Sequence, residues 1–133
     1  MAPVLITSFY AGLCALVVIA LIFQVERQRF KHRIGFGDGG QEKLTLAIRV
    51  HANAVENIPL ALILLLLWEL NGGPVWGIHL AGAGLVVSRA LHAWGFSRSS
   101  GRSFGRSVGA TGTWLVILVL ALVLVVKGAM GMS

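Results

Sequence analysis

Four apolar runs, each long enough to cross a bilayer and joined by short polar connections, constrain this chain more than any other feature. They cover about residues 4–25, 44–70, 75–96 and 108–126. A helix needs ~20 apolar residues to span a ~30 Å hydrocarbon core, and each run meets that length. Lipid offers backbone groups no water, so a spanning segment is a helix or part of a closed barrel. The apolarity is continuous and does not alternate, which selects helices. Composition agrees: the chain is 56% hydrophobic and 12% charged, where soluble domains carry about 25% charged residues. At 133 residues there is room for one bundle, read as a single domain over 1–133. The expected fold class is an all-α integral membrane protein, a bundle of four transmembrane helices.

The net charge of +6 is unevenly spread. Arg27, Arg29, Lys31, Arg33 and Lys43 fall in the first connection, and Arg98, Arg102 and Arg106 in the third. The second, Asn71-Gly72-Gly73-Pro74, has no basic residue. The positive-inside rule then places 26–43 and 97–107 in the cytoplasm and both termini outside. A nucleic-acid partner is excluded, since it would need a soluble basic face. Trp68 and Trp76 flank the hairpin and read as interfacial anchors there; Trp94 takes the same part at the opposite end. The first run lacks a basic n-region and a small-residue cleavage site, so it reads as a retained helix. Cys14 has no charged neighbour in sequence to activate it and reads as core. His32, His51, His79 and His92 are scattered without ligand spacing, so no metal site is expected.

Within the second run lies a polar segment, Arg49-Val-His-Ala-Asn-Ala-Val-Glu-Asn-Ile-Pro59. An ionised side chain at mid-membrane costs about 2.5–3.5 kcal/mol on insertion scales. At 100° per residue Arg49, Asn53, Glu56 and Asn57 fall in roughly a 100° arc, while His51 points to the opposite side. Pro59 removes one helical hydrogen bond and is expected to bend the helix. Arg89, His92 and Phe96 share a face of the third run. Arg106 and Ser107 open the fourth, with Ser107 expected as its N-cap. Two readings of these charges stand. Glu56 pairs with Arg49 or Arg89 and holds the bundle, as buried ions in membranes commonly do. Alternatively, the excess of arginine over acid awaits an anionic ligand.

The segment Arg49-x-His51-Ala52-Asn53-x-x-Glu56-x-x-Pro59 resembles the second-helix signature of the MAPEG family, the membrane-associated proteins in eicosanoid and glutathione metabolism. Gly37-Asp38-Gly39-Gly40, Arg89-Ala90-Leu91-His92-Ala93 and Arg106-Ser107 extend the resemblance over nearly the whole chain. It is nearest the small bacterial branch and is similar to microsomal glutathione transferases. The sequence departs from many eukaryotic members at Ala52, where they carry a further arginine, and at Phe96, where they carry a tyrosine.

The resemblance implies a homotrimer with glutathione as cosubstrate, bound between subunits near the cytoplasmic side. The positions it implies for glutathione are Arg27, Asn53, Glu56, Arg89, His92 and Arg106, with Arg106 and Ser107 as the catalytic pair that stabilises the thiolate. The implied activity is detoxification in the bacterial inner membrane. The thiolate would attack a lipophilic electrophile, or the protein would act as a peroxidase of lipid hydroperoxides. The alternative is a non-catalytic protein of the same fold that binds a thiol or a lipid anion. A small multidrug transporter is disfavoured, because those depend on a first-helix glutamate and none lies within 4–25.

Overall fold

A computed structural model of the protein describes residues 4–95 and 104–131. These form four helices: α1 (Leu5–His32), α2 (Glu42–Leu70), α3 (Val75–Trp94) and α4 (Phe104–Gly131). Helix α2 packs against all three others. Among the described residues the α1 and α4 backbones do not approach each other closely. By length and composition α1, α2 and α4 each have what a membrane crossing requires. Helix α3 is the shortest, at 20 residues, and its apolar run is diluted by Gly77, His79, Gly82, Gly84, Arg89 and His92.

All four helices depart from their expected ends. Helix α1 runs on through Glu26-Arg27-Gln28-Arg29-Phe30-Lys31-His32 instead of ending near 25. Hydropathy marks where hydrocarbon stops; the backbone hydrogen bonds continue as long as good helix formers such as Glu, Gln and Arg follow. Helix α2 starts at Glu42 for the same reason, and Pro59 lies within it without ending it. Helix α3 stops at Trp94, and Phe96 lies outside the described residues. Helix α4 covers Phe104–Gly131 instead of 108–126. Ser107 is therefore inside its first turns and does not occupy the N-cap position.

The interior is built in two sections. Toward the α1–α2 turn, Cys14, Leu21, Val50, Ala54, Ile58, Ala61 and Leu85 pack together; toward the α2–α3 hairpin, Tyr10, Leu65, Trp68, Ile78 and Leu120 do so. Trp68 thus belongs to the core, at 9% exposure, whereas Trp76 is 72% exposed. Burial of the Trp68 ring against Gly73 and Gly77 replaces the interfacial position expected for it. The outside carries large apolar side chains such as Leu16, Phe23, Leu115 and Leu122, as a lipid-facing surface must.

Helix α4 approaches α3 through Gly105, Gly109 and Gly112. A Cβ at Gly109 would strike the Ser88 carbonyl and the His92 backbone, and one at Gly105 would press on the Leu91 carbonyl. Small residues at this spacing let two membrane helices pack backbone to backbone. That contact sets the start of α4 beside the end of α3.

The α1–α2 turn closes on Asp38. Its carboxylate accepts from the Gly40 amide at 3.0 Å and from Thr45 Oγ1 at 2.8 Å. The Gly40 amide foremost, then the Thr45 hydroxyl, holds this carboxyl below its ordinary range.

Candidate functional site

Between α2 and α4, with His92 of α3 at its back, lies an open cleft of about 500 Å³. Its polar lining is Arg49, Asn53 and Glu56 from α2, His92 from α3, and Arg106, Ser107 and Thr111 from α4. Helical periodicity gathers the lining residues of each main wall on one face. On α2, Leu46, Arg49, Asn53 and Glu56 recur every three or four residues. On α4, Ser107, Ala110 or Thr111, and Trp114 do the same.

Five of the residues named for the site from sequence therefore share this cleft: Asn53, Glu56, His92, Arg106 and Ser107. Two do not line it. Arg89 is 2% exposed and lies behind the wall. Its Nη1 donates to Asn53 Oδ1 at 2.8 Å and its Nη2 to the Gly109 carbonyl at 3.1 Å. Arg27 is exposed on α1 and is not among the residues that line the cleft of its own chain. His51 also stays outside the lining, on the side its helical phase predicts.

The Arg89 contact orients the wall. Arginine has only donors, so the Asn53 atom facing it must be the carbonyl oxygen. The Asn53 amide group is then left to donate. Asn57, the fourth member of the α2 stripe, is turned inward along the helix, its Nδ2 donating to the Asn53 backbone carbonyl at 2.8 Å. The Gly109 carbonyl receives a second donor, Thr113 Oγ1 at 2.9 Å. One buried arginine thereby ties α3 to both walls of the cleft.

Among the described residues no ion pair joins Glu56 to Arg49 or Arg89. Arg49 and Glu56 are both exposed at the mouth of the cleft, separated by roughly two helical turns. The self-neutralising pair that the sequence allowed is not formed in the chain. What lines the opening is a set of donors and cations with one carboxylate, beside the apolar Leu46, Ala110 and Trp114. Such a lining suits an anion that carries one positive group and is attached to, or meets, something lipophilic.

Sequence reasoning missed Thr111, Ala110 and Trp114. The signal was present: they continue the Arg106-Ser107 face at helical spacing. It also missed that Arg89 works through Asn53, which only the packing of α3 behind α2 determines.

The model of the MAPEG family matches residues 7–126, a span that contains every residue of the cleft. The chain belongs to the MAPEG family. It is 39% identical over 118 residues to Inner membrane protein YecN of Escherichia coli (strain K12), an alignment covering 89% of this chain and 88% of that protein. The protein of the same name from Escherichia coli O6:H1 matches to the same extent. The chain is thus an integral membrane protein of the MAPEG four-helix type, with a bacterial inner membrane protein among its relatives.

Proposed function

We propose that the protein is a homotrimeric, glutathione-dependent transferase, or a peroxidase of lipid hydroperoxides, of a bacterial inner membrane. In this reading the α1–α2 and α3–α4 connections face the cytoplasm. The observation that carries it is the cleft, where Arg49, Arg106 and the Asn53 amide face one carboxylate, Glu56, with no ion pair from Glu56 to Arg49.

Glutathione has two carboxylates, one ammonium and one thiol. Arg49 binds a carboxylate, for which the planar guanidinium is suited, and the Asn53 amide donates to the same end. Glu56 receives the ammonium. Arg106, with the Ser107 hydroxyl, stabilises the sulfur as thiolate. A free thiol has a pKa of ~8.5 and is mostly protonated at neutral pH; a nearby guanidinium shifts that balance. The released proton leaves through the open mouth of the cleft.

The thiolate then attacks an electrophilic carbon, forms the C–S bond and displaces the leaving group with its electron pair. With a hydroperoxide it attacks the terminal oxygen, the O–O bond breaks with its electron pair going to the lipid oxygen, and a sulfenic acid and a lipid alkoxide result; the alkoxide takes a proton from water at the open mouth and leaves as the alcohol. A second glutathione condenses with the sulfenic acid to give the disulfide and water. The chain's contribution is proximity and anion stabilisation. Trp114 and Ala110 offer an apolar approach for the second substrate from the lipid side. In a trimer a neighbouring copy would close the open side of the cleft.

The test is thiolate ultraviolet absorbance on adding glutathione to the detergent-solubilised protein, followed by turnover of a chlorodinitrobenzene-type electrophile. Arg106→Ala should lower turnover about 100-fold, the scale of losing one oxyanion-type donor, while the oligomer stays intact by size. Absence of both thiolate signal and turnover rejects the proposal. Glutathione binding without turnover leaves a thiol-binding membrane protein instead.

A further inference from the structure

The end of α1 borders a second hollow, whose lining shares no residue with the cleft. A hollow of about 440 Å³ lies where α1 gives way to the turn, lined by Glu26, Arg29, Phe30, Arg33, Ile34 and Gly35. We propose that this hollow binds the headgroup of an anionic glycerophospholipid, of the phosphatidylglycerol type, with Arg33 and Arg29 on the phosphate and Glu26 on the headgroup hydroxyls.

Depth is the first support. Helix α1 has 28 residues, about 42 Å at 1.5 Å each, against a ~30 Å hydrocarbon core. With Leu5–Val25 in hydrocarbon, Glu26–His32 rises about 10 Å beyond it, at the level of the lipid phosphates. Phe30, which lines the hollow, is 81% exposed, and Phe36, which follows its Gly35 in the chain, is 96% exposed. Exposed aromatic rings at that depth have lipid to lie against.

Backbone conformation is the second. Arg33 ends α1 at φ 54°, ψ 42°. Among the described residues every other positive φ belongs to a glycine, the ordinary choice for this helix-ending position. Arginine there is disfavoured locally and places a guanidinium at the rim of the hollow. Arg29 stiffens the same turn, its Nη1 donating to the Gly37 carbonyl at 3.0 Å and, at 3.4 Å, to that of Ile34.

Charge is the third. Arg27 and Lys31 are exposed on the same helix end. Of the acids in this connection, Asp38 is engaged by Gly40 and Thr45 and Glu42 lies in the first turn of α2. Glu26 alone faces the hollow, so its surroundings favour a net anion over a zwitterion.

Melting temperatures of the purified protein in detergent test this, with added phosphatidylglycerol, phosphatidylethanolamine, phosphatidylcholine or inorganic phosphate. Phosphatidylglycerol alone should raise the melting temperature. Arg33→Gly should melt no lower than the parent without lipid, because glycine suits the left-handed position, yet bind phosphatidylglycerol about fivefold more weakly, the equivalent of about 1 kcal/mol per basic residue at a membrane surface. Arg33→Asn, which also tolerates this conformation, serves if the glycine variant does not fold. Equal stabilisation by a zwitterionic lipid or by inorganic phosphate overturns the proposal, as does full phosphatidylglycerol binding by the Arg33 variants.

Discussion

Glu56 and Glu69 sit on the same helix and are used in opposite ways. Glu69, at the hairpin end of α2, is taken up by the chain. Its carboxylate accepts from the Ile6 amide at 3.1 Å and the Thr7 amide at 2.7 Å. These are among the first amides of α1, which no intrahelical carbonyl can satisfy. Val4, the residue before α1, supplies no side-chain cap, so α2 caps α1 across the bundle. Nearby, the Tyr10 hydroxyl and His79 Nδ1 share a hydrogen bond at 3.0 Å. Glu56 faces a cleft, with no ion pair to Arg49 or Arg89. The Glu69 carboxylate is filled by amides of its own chain; the Glu56 carboxylate faces an open cleft.

The comparison separates a polar residue that holds a membrane fold from one that offers a site. Cost of insertion alone does not separate them, since both carboxylates are expensive near hydrocarbon. What separates them is whether the donors are already in the chain. The sharpest way to break the distinction is to remove each acid. Glu69→Ala should cost about 2 kcal/mol of stability, the scale of a charge-assisted hydrogen bond or a lost cap, and leave glutathione affinity near that of the parent. Glu56→Ala should change stability by under about 0.5 kcal/mol, as exposed substitutions do, and weaken glutathione about tenfold through the lost ammonium contact. Thermal unfolding and ligand titration of both variants decide it; equal stability losses would erase the contrast.

Asn53 lies between these extremes. Its Oδ1 is committed to Arg89 and its amide faces the cleft. Asn53→Ala should therefore lower both stability, by about 1 kcal/mol for a hydrogen bond to a charged group in a membrane bundle, and glutathione affinity. Asn53→Asp would give Arg89 a full counter-charge while removing the donor from the cleft. Stability retained or raised with affinity lost would show that the two functions of this side chain separate.

What the sequence revealed follows from the range of each interaction. Helix number and the polar face of each helix were legible because hydropathy and a 3.6-residue period are local; that the faces of different helices would meet was implied only by the family resemblance. The faces of Arg49, Asn53 and Glu56, and of Arg106 and Ser107, point the same way in any α-helix. Helix ends were misplaced by up to two turns, because apolarity measures membrane thickness and not hydrogen bonding. Ser107 reads as a cap on that ground, whereas α4 begins by Phe104. The cap formed by Glu69 was invisible, since donor and acceptor are more than sixty residues apart and nothing in either segment names the other. Trp68 was misplaced because a tryptophan beside a hairpin fits an interface or a core equally well until Gly73 and Gly77 are folded beneath it. Arg27 carries no local mark of which helix it will face.

The smallest expected effect tests the closed end again. Tyr10 is 7% exposed, and its ring packs edge-on to His79 with centroids 5.8 Å apart. Tyr10→Phe keeps that packing and removes only the hydroxyl. The His79 nitrogen it leaves is on an exposed residue and can find water or a lipid headgroup, so the full penalty of an orphaned buried group does not apply. The loss should be about 0.5 kcal/mol, near the mean for side-chain hydrogen bonds in membrane bundles, with glutathione affinity unchanged. A loss several times larger in thermal unfolding would mean that the hairpin end is one cooperative network with Glu69. Glu69→Ala and Tyr10→Phe would then be non-additive when combined. Simple addition of the two losses would instead mark them as separate supports that happen to share one end of the bundle.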